Sequence, residues 1–233
     1  MELSIAQAKL IEHEWLAAIG EFATMVVHEI RNSLTTVQMG LNYFTKLELS
    51  QPAQAQLSLA MDEANRLANL LQEILSYSKP QILQLSEINL HAFIQELLIS
   101  LQSIPEAQGR SIKYVPFHSS IWSLGAPDKL KQVFINLIRN ACEAVEPGET
   151  IRWSVTDSSM EQICISVQNG GAPTPADVLP QLTQPFYSTK AEGTGLGLAI
   201  VKRIVEAHSG ELLIESSENE GTVFNVRLPL KPE

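Results

Sequence analysis

The tightest constraint on this chain is an apolar seam that one copy of it cannot bury. Ala23, Val27, Ile30, Leu34, Val37, Leu41 and Phe44 recur at spacings of 4-3-4-3-4-3, the pattern of a helix face in a coiled coil or bundle. From about Leu3 to Leu49 there is no proline and there are only two glycines. Upstream, Leu16, Ile19, Ala23 and Val27 run 3-4-4, so the heptad slips just before His28. Ser50-Gln51-Pro52 interrupts the pattern. A second helix is expected to about Tyr77, with Leu57, Ala60, Ala64, Leu67, Leu71 and Ile74 at spacings of 3-4-3-4-3. A hairpin of two such helices leaves part of its seam in water, and pairing two hairpins into a four-helix bundle removes it. A homodimer is therefore expected. A long structural coiled coil accounts for the same periodicity.

Ser78-Lys79-Pro80 ends the helical pattern, which sets an expected boundary between residues 1–79 and 80–233. Beyond it the texture is mixed. Ser86–Leu90 reads as a short strand, and Asn89 can cap a helix running to about Leu101. Ile112–Val115 and Ile121–Leu124 read as strands. Pro127 opens an amphipathic helix to about Val145, closed by Glu146-Pro147-Gly148. Ile151–Thr156 and Ile163–Gln168 alternate as strands do. The segment from Asn169 to Thr194 is rich in Gly, Pro and Thr. A helix from about Gly195 to His208 precedes a hairpin of Glu211–Ser216 and Thr222–Leu228. Helices with a mixed sheet imply a two-layer α/β sandwich.

The totals narrow the function. A net charge of −10 opposes binding to a nucleic-acid backbone or an anionic membrane. Only Cys142 and Cys164 are present, which argues against a disulfide framework and for a reducing compartment. No apolar run approaches the roughly 18–20 residues of a membrane span, so no membrane contact is expected from this segment and the location is read as cytoplasmic.

Three stretches can carry chemistry. Gly193-Thr-Gly195-Leu-Gly197-Leu198 leads into a helix, where backbone amides can approach phosphate. It is not a dinucleotide fingerprint, because Leu198 stands at the third glycine and no strand precedes it. No Gly-Lys pair exists for a Walker loop. On a second helix, Asn136, Asn140 and Glu143 share one face at i, i+4 and i+7, and amides on an otherwise apolar helix call for a ligand, a metal or solvent. On the first helix, His28-Glu29 with Asn32 excludes the zinc-protease pattern His-Glu-x-x-His, because Asn32 stands where the second histidine belongs.

Together these stretches resemble the transmitter region of a bacterial two-component sensor histidine kinase, from about Leu16 onward. His28-Glu-Ile-Arg-Asn-Ser-Leu resembles the phospho-acceptor box, and Asn136 to Ala144 the N-box. Asn169-Gly-Gly171 stands at the first glycine box, Pro185-Phe-Tyr-Ser-Thr-Lys190 at the phenylalanine box, and Gly193 to Leu198 at the last glycine box. The resemblance implies a helical hairpin forming a dimeric four-helix bundle, then a gyrase-type (Bergerat) ATP-binding sandwich. The short stretch between Phe186 and Gly193 resembles the lid of the nitrogen-regulation-type branch.

The resemblance also assigns roles. ATP and Mg²⁺ would be the cofactors, with Asn140 as metal ligand and Asn136, Arg139 and Glu143 beside it. Asn169 (or Gln168 in a shifted alignment) and Gly171 would meet the base. Phe186, Thr189, Lys190, Gly193, Thr194, Gly195, Leu196, Gly197 and Leu198 would enclose the phosphates. His28, as neutral imidazole, would take the γ-phosphoryl group, and Glu29 would orient it or accept its proton. Phospho-His28 would pass the group to an aspartate of a response regulator receiver domain, and Asn32 would position water for the reverse, phosphatase reaction. Gyrase-type ATPases carry a glutamate base where Asn136 stands, so uncoupled hydrolysis is expected to be slow. Input would come from an upstream sensor domain or a separate protein.

Three departures from the family pattern qualify this reading. Ser33 replaces a proline, which implies a weaker kink. Asn169 replaces an aspartate, and Gly171-Ala-Pro173 lacks a second glycine. A degenerate kinase that acts as a dimeric scaffold or phosphotransferase without ATP turnover is the alternative, and a stand-alone ATPase is a third. Trp15, Phe22, Trp122 and Trp153 read as packing residues, and His13, His91, His118 and His208 have no ligand-like spacing.

Overall fold

The computed structural model describes residues 26–79, 81–116, 121–159, 162–190 and 193–230. Leu16, Ile19, Ala23 and the register slip, with Trp15, Phe22, His13 and His118, lie outside them. The chain forms two compact units, Met1–Pro80 and Gln81–Glu233.

In the first unit, residues 26–44 form α1 and Gln51–Ser78 form α2. α1 ends at Phe44, the last residue of its apolar seam. Lys46 N bonds Tyr43 O and Leu47 N bonds Phe44 O, each at 3.1 Å, and such i→i+3 bonds tighten a last turn while satisfying its orphan carbonyls. Pro52 then sits in the first turn of α2, where its missing N–H costs nothing. Two side-chain rungs fix the antiparallel register: Arg31 Nη2 donates to Gln72 Oε1 at 2.7 Å, and Gln38 Nε2 to Asn65 Oδ1 at 3.0 Å.

The seam divides. Val27, Leu71 and Leu75 form a buried cluster with Leu34 and Ile74 packed against it, and Ala64 is buried on the same side of α2. The alternate seam positions face outward. Ile30 is 46% exposed, Val37 54%, Phe44 47% and Leu67 41%. Ile30, Val37 and Phe44 lie seven apart, so half of each heptad closes the hairpin and half lines an open stripe.

The second unit is a two-layer α/β sandwich. Its elements are β1 (Ser86–Asn89), α3 (Leu90–Leu101), β2 (Ser111–Val115), β3 (Trp122–Gly125), α4 (Pro127–Glu143), β4 (Thr150–Ser159), β5 (Gln162–Asn169), α5 (Gly197–Ala207), β6 (Glu211–Ser217) and β7 (Gly221–Pro229). The main sheet has the order β2-β4-β5-β7-β6. β2 pairs with β4 in parallel and the other pairs are antiparallel. β1 and β3 form a separate antiparallel pair, tied to the end of β7 by Ser123 Oγ donating to Pro229 O at 3.0 Å.

Strand alternation decides which side chains meet the helices. Along β5, Ile163, Ile165, Val167 and Asn169 are buried, while Cys164, Ser166 and Gln168 lie on the opposite face. Leu130, Val133, Phe134, Leu137 and Ile138 of α4 and Ile200, Val201 and Ile204 of α5 complete the core. Phe134 stacks on Trp153 with ring centroids 5.2 Å apart, and Trp153 is fully buried. Trp122 is instead an edge residue, 48% exposed.

His208 is structural. It accepts a 3.0 Å hydrogen bond from Ala126 N at Nε2, and its Nδ1–H donates to Ile204 O at 2.7 Å. This buried imidazole ties the end of α5 to the start of α4. Desolvation holds its pKa below the usual histidine value, because burial penalises the charged form.

Candidate functional site

The histidine lies on α1 of the hairpin unit. His28, Glu29 and Asn32 are all exposed, while their neighbour Val27 is 3% exposed in the hairpin core. His28 and Asn32 are one helical turn apart and therefore on one face. The helix runs unbroken through Ser33, whose Oγ donates to the Glu29 carbonyl at 3.1 Å. Thr35 and Thr36 do the same to Arg31 (2.8 Å) and Asn32 (3.2 Å). Side-chain bonds of this kind loosen a helix slightly without the break a proline makes.

The second unit gathers most of the other singled-out residues around the end of α4, the end of β5 and the start of α5. α4 buries its apolar face and leaves Asn136, Arg139 and Asn140 half-buried and Glu143 exposed. Asn136 Nδ2 donates to Gly197 O at 3.4 Å, joining α4 to the first residue of α5. Asn140 makes no side-chain hydrogen bond among the described residues. Glu143 pairs with Lys190 Nζ. Arg139 is turned aside, with Nε 3.3 Å from Glu106 Oε1, so its charge is engaged away from the other three.

The connection from β5 to α5 folds back on this surface. Gly171 has φ +88°, and a Cβ there would lie 2.6 Å from Ala144 O, at the C-cap of α4. Phe186 N bonds Gly195 O at 3.0 Å. Phe186 is 66% exposed and has φ +64°, a conformation that costs a bulky L residue energy. A Cβ on Gly195, at φ +69°, would stand 2.5 Å from the Phe186 carbonyl carbon and 2.6 Å from Tyr187 N. Gly193 meets only the flexible Ser188 side chain at that kind of distance, and Gly197 has nothing within 4 Å. Thr189 is exposed, Leu196 is fully buried and Leu198 half-buried. Leu196 N bonds Thr194 Oγ1 at 3.3 Å.

α5 opens without a side-chain cap, so its first-turn amides point at solvent with the positive end of the helix dipole. Such a helix start favours an anion. Asn169 and Gln168 separate by strand period: Gln168 faces outward and donates to Glu220 O at 3.0 Å. Asn169 is 3% exposed on the core side. Sequence reasoning passed over Thr222, which pairs across the sheet with Asn169 and is itself buried. Its Oγ1 lies 2.9 Å from Ser216 Oγ and 3.5 Å from Thr174 Oγ1. The Gly221-Thr222 step closing the acidic turn was the available signal. Gly221, at φ +68°, leaves room for the Asn169 carbonyl, which a Cβ would approach to 2.1 Å.

The residue set fits a nucleotide with a divalent cation: an uncapped helix start, an unpartnered Asn140 amide and a nearby lysine. Among the described residues no group of three or more His, Cys, Asp or Glu could hold a metal by itself. A cation here would therefore depend on phosphate oxygens as well.

The fold and this cluster define a gyrase-type ATP-binding domain next in sequence to a phospho-acceptor hairpin. Residues 125–232 match the model of the histidine kinase-, DNA gyrase B- and HSP90-like ATPases, and residues 18–82 match that of the His Kinase A (phospho-acceptor) domain. The chain is similar to the signal transduction histidine-protein kinase AtoS of Escherichia coli K12, 31% identical over 97% of this chain and 37% of that protein. It is similar to the sensor kinase ZraS of Salmonella typhimurium, 33% identical over 93% of this chain and 47% of that one. Among solved structures, the catalytic domain of histidine kinase ThkA is 30% identical with a TM-score of 0.58, covering 64% of this chain and 99% of that domain. ThkA in complex with the response regulator protein TrrA is 28% identical with a TM-score of 0.71, covering all of this chain and 68% of that one. The chain belongs to the sensor histidine kinase family and carries its transmitter region. It spans less than half the length of these two curated relatives.

Proposed function

We propose that this chain is an ATP-dependent protein-histidine kinase that phosphorylates His28 and passes the phosphoryl group to an aspartate of a response regulator. The observation that carries this reading is the convergence of Asn136, Asn140, Lys190 and the uncapped start of α5 in one unit, with an exposed histidine on the phospho-acceptor hairpin. ATP seats its phosphates against the amides of Gly197 and Leu198. Asn140 would hold Mg²⁺, which would neutralise phosphate charge there. Lys190 exchanges its contact with Glu143 for phosphate oxygens. Asn169 accepts from the base, and Gly171, Phe186, Thr189, Gly193, Thr194, Gly195 and Leu196 shape the enclosing lid, whose shortness favours the nitrogen-regulation-type branch. Arg139 acts through Glu106 on the shape of the site.

In the transfer, an imidazole nitrogen of His28 forms a bond to the γ-phosphorus as the bond to the β,γ-bridging oxygen breaks and ADP leaves. Glu29, adjacent and exposed, takes the ring proton. Asn136 cannot serve as a base for water, so the phosphoryl group goes to histidine in preference to hydrolysis. Asn32 orients water against a phospho-aspartate and gives phosphatase activity. The open stripe of Ile30, Val37, Phe44 and Leu67 supports a homodimer through a four-helix bundle, because burying it recovers about 25 cal/mol per Å² of apolar surface. No described helix is long and apolar enough to cross a membrane, and we place the segment in the cytoplasm with input from an upstream sensor domain or separate protein.

Incubation with γ-labelled ATP and Mg²⁺ should label the chain, and adding a receiver domain should move the label to its aspartate. A chain that binds nucleotide but never takes label is a scaffold; one that releases phosphate steadily without holding label is an ATPase.

A further inference from the structure

Lys190 stands in a segment with no helix or strand to hold it, yet the proposed function needs its ammonium at the phosphates. We propose that Ser188 is a positioning residue for Lys190, its hydroxyl holding the lysine backbone in the turn from which the ammonium reaches phosphate. The inference rests on the nucleotide-binding reading above.

One hydroxyl serves both backbone groups of Lys190. Lys190 N–H donates to Ser188 Oγ at 3.1 Å, and Ser188 Oγ–H donates to Lys190 O at 3.2 Å. A serine hydroxyl has one proton and two lone pairs, so both contacts are held together. Gly193 N bonds the same carbonyl at 3.2 Å and closes the turn. Outside regular structure, side-chain bonds of this kind are what fix a backbone. Alanine at 188 would leave Lys190 N–H without a partner among the described residues.

Gly193 supplies the space. A Cβ there would lie 2.2 Å from Ser188 Oγ and 3.2 Å from Ser188 Cβ. Gly193 is not one of the glycines with a left-handed φ, so this position requires room for the hydroxyl and not backbone freedom. A methyl group at 193 need not break the fold, because a serine hydroxyl can turn to another rotamer. Turning gives up both bonds to Lys190. The far end of the lysine is held as well. Its Nζ pairs with Glu143, three residues beyond Asn140 and on the same face of α4. A long side chain fixed at both ends loses less freedom when phosphate takes the place of Glu143.

Equilibrium binding of ATP with Mg²⁺ to the full chain tests this. Ser188→Ala should weaken binding about 3- to 10-fold, the loss of roughly one net hydrogen bond. Ser188→Thr keeps the hydroxyl and should stay within about two-fold of the unmodified chain. Gly193→Ala reaches the same state by turning the hydroxyl away, and should match Ser188→Ala. The decisive readout is the Lys190→Ala background, where adding Ser188→Ala should cost less than about two-fold, because the group it positions is gone. An equal loss in both backgrounds shows a general loop role and overturns the inference. So does a Ser188→Ala chain that binds ATP as tightly as the unmodified one, and either result leaves the kinase reading intact. An unmodified chain that binds no ATP overturns the kinase reading and the inference with it.

Discussion

Gly193, Gly195 and Gly197, leading into α5, look equivalent in the sequence, and the structure gives Gly195 a different reason from Gly197. Gly195→Ala places a methyl group 2.5 Å from the Phe186 carbonyl carbon, 2.6 Å from Tyr187 N and 2.7 Å from Tyr187 O, all backbone atoms. A left-handed φ costs an L residue roughly 1–2 kcal/mol, and forcing a methyl into filled space costs about 1–3 kcal/mol more. The total, about 2–5 kcal/mol, falls on the packing of Gly195 against the Phe186–Tyr187 backbone and not on the sheet. It should lower the population of this loop arrangement by roughly 30-fold or more and weaken nucleotide binding accordingly. Gly197→Ala meets nothing within 4 Å and its damage should appear only when phosphate approaches. Amide exchange in the nucleotide-free protein separates the two. The Phe186 amide, which bonds Gly195 O at 3.0 Å, should lose protection in Gly195→Ala and keep it in Gly197→Ala, while both variants bind ATP more weakly. Unchanged protection and affinity in Gly195→Ala would refute the argument.

Three further outcomes are expected. Val37→Asp puts a charge on the open stripe while leaving the Val27, Leu71 and Leu75 cluster intact, so light scattering should report a helical monomer for the variant and a dimer for the unmodified chain. The pKa of His208 is lowered by burial, so the unfolded state takes up a proton first. Stability contributed by neutral His208 is therefore complete above the unfolded value of about 6.5 and falls below it by up to about 1.4 kcal/mol per pH unit, a slope that melting curves of His208→Gln should lack. Asn32→Ala should retain His28 phosphorylation and lose most dephosphorylation of the receiver, followed as aspartyl-phosphate decay with the two proteins mixed.

Periodicity made the architecture readable. The 3-4 spacing placed α1 and α2, Pro127 opened α4 where expected, and alternation placed β5 to β7 within one residue while ending β4 three residues short. The seam was legible as a whole but not in its division, because which heptad position closes a hairpin depends on how the two helices face each other. Asn169 and Gln168 could not be separated by motif alignment, since the alignment shifts by one and the strand period turns that single step into opposite faces. Arg139 sits within a motif, yet its charge is taken by Glu106, a contact from the segment between α3 and β2 that no local pattern announces. Thr222 was missed because its significance comes from cross-strand pairing with Asn169 and not from its neighbours in sequence.

On the proposed function, the nucleotide bound through α4 and α5 phosphorylates His28. Intact-mass analysis at neutral pH after incubation with ATP and Mg²⁺, followed by fragment mapping, tests it most directly. One phosphoryl group on His28 is predicted in the unmodified chain, with none in His28→Gln and little in Asn140→Ala. A phosphoryl group on another residue, or equal incorporation in His28→Gln, would contradict it.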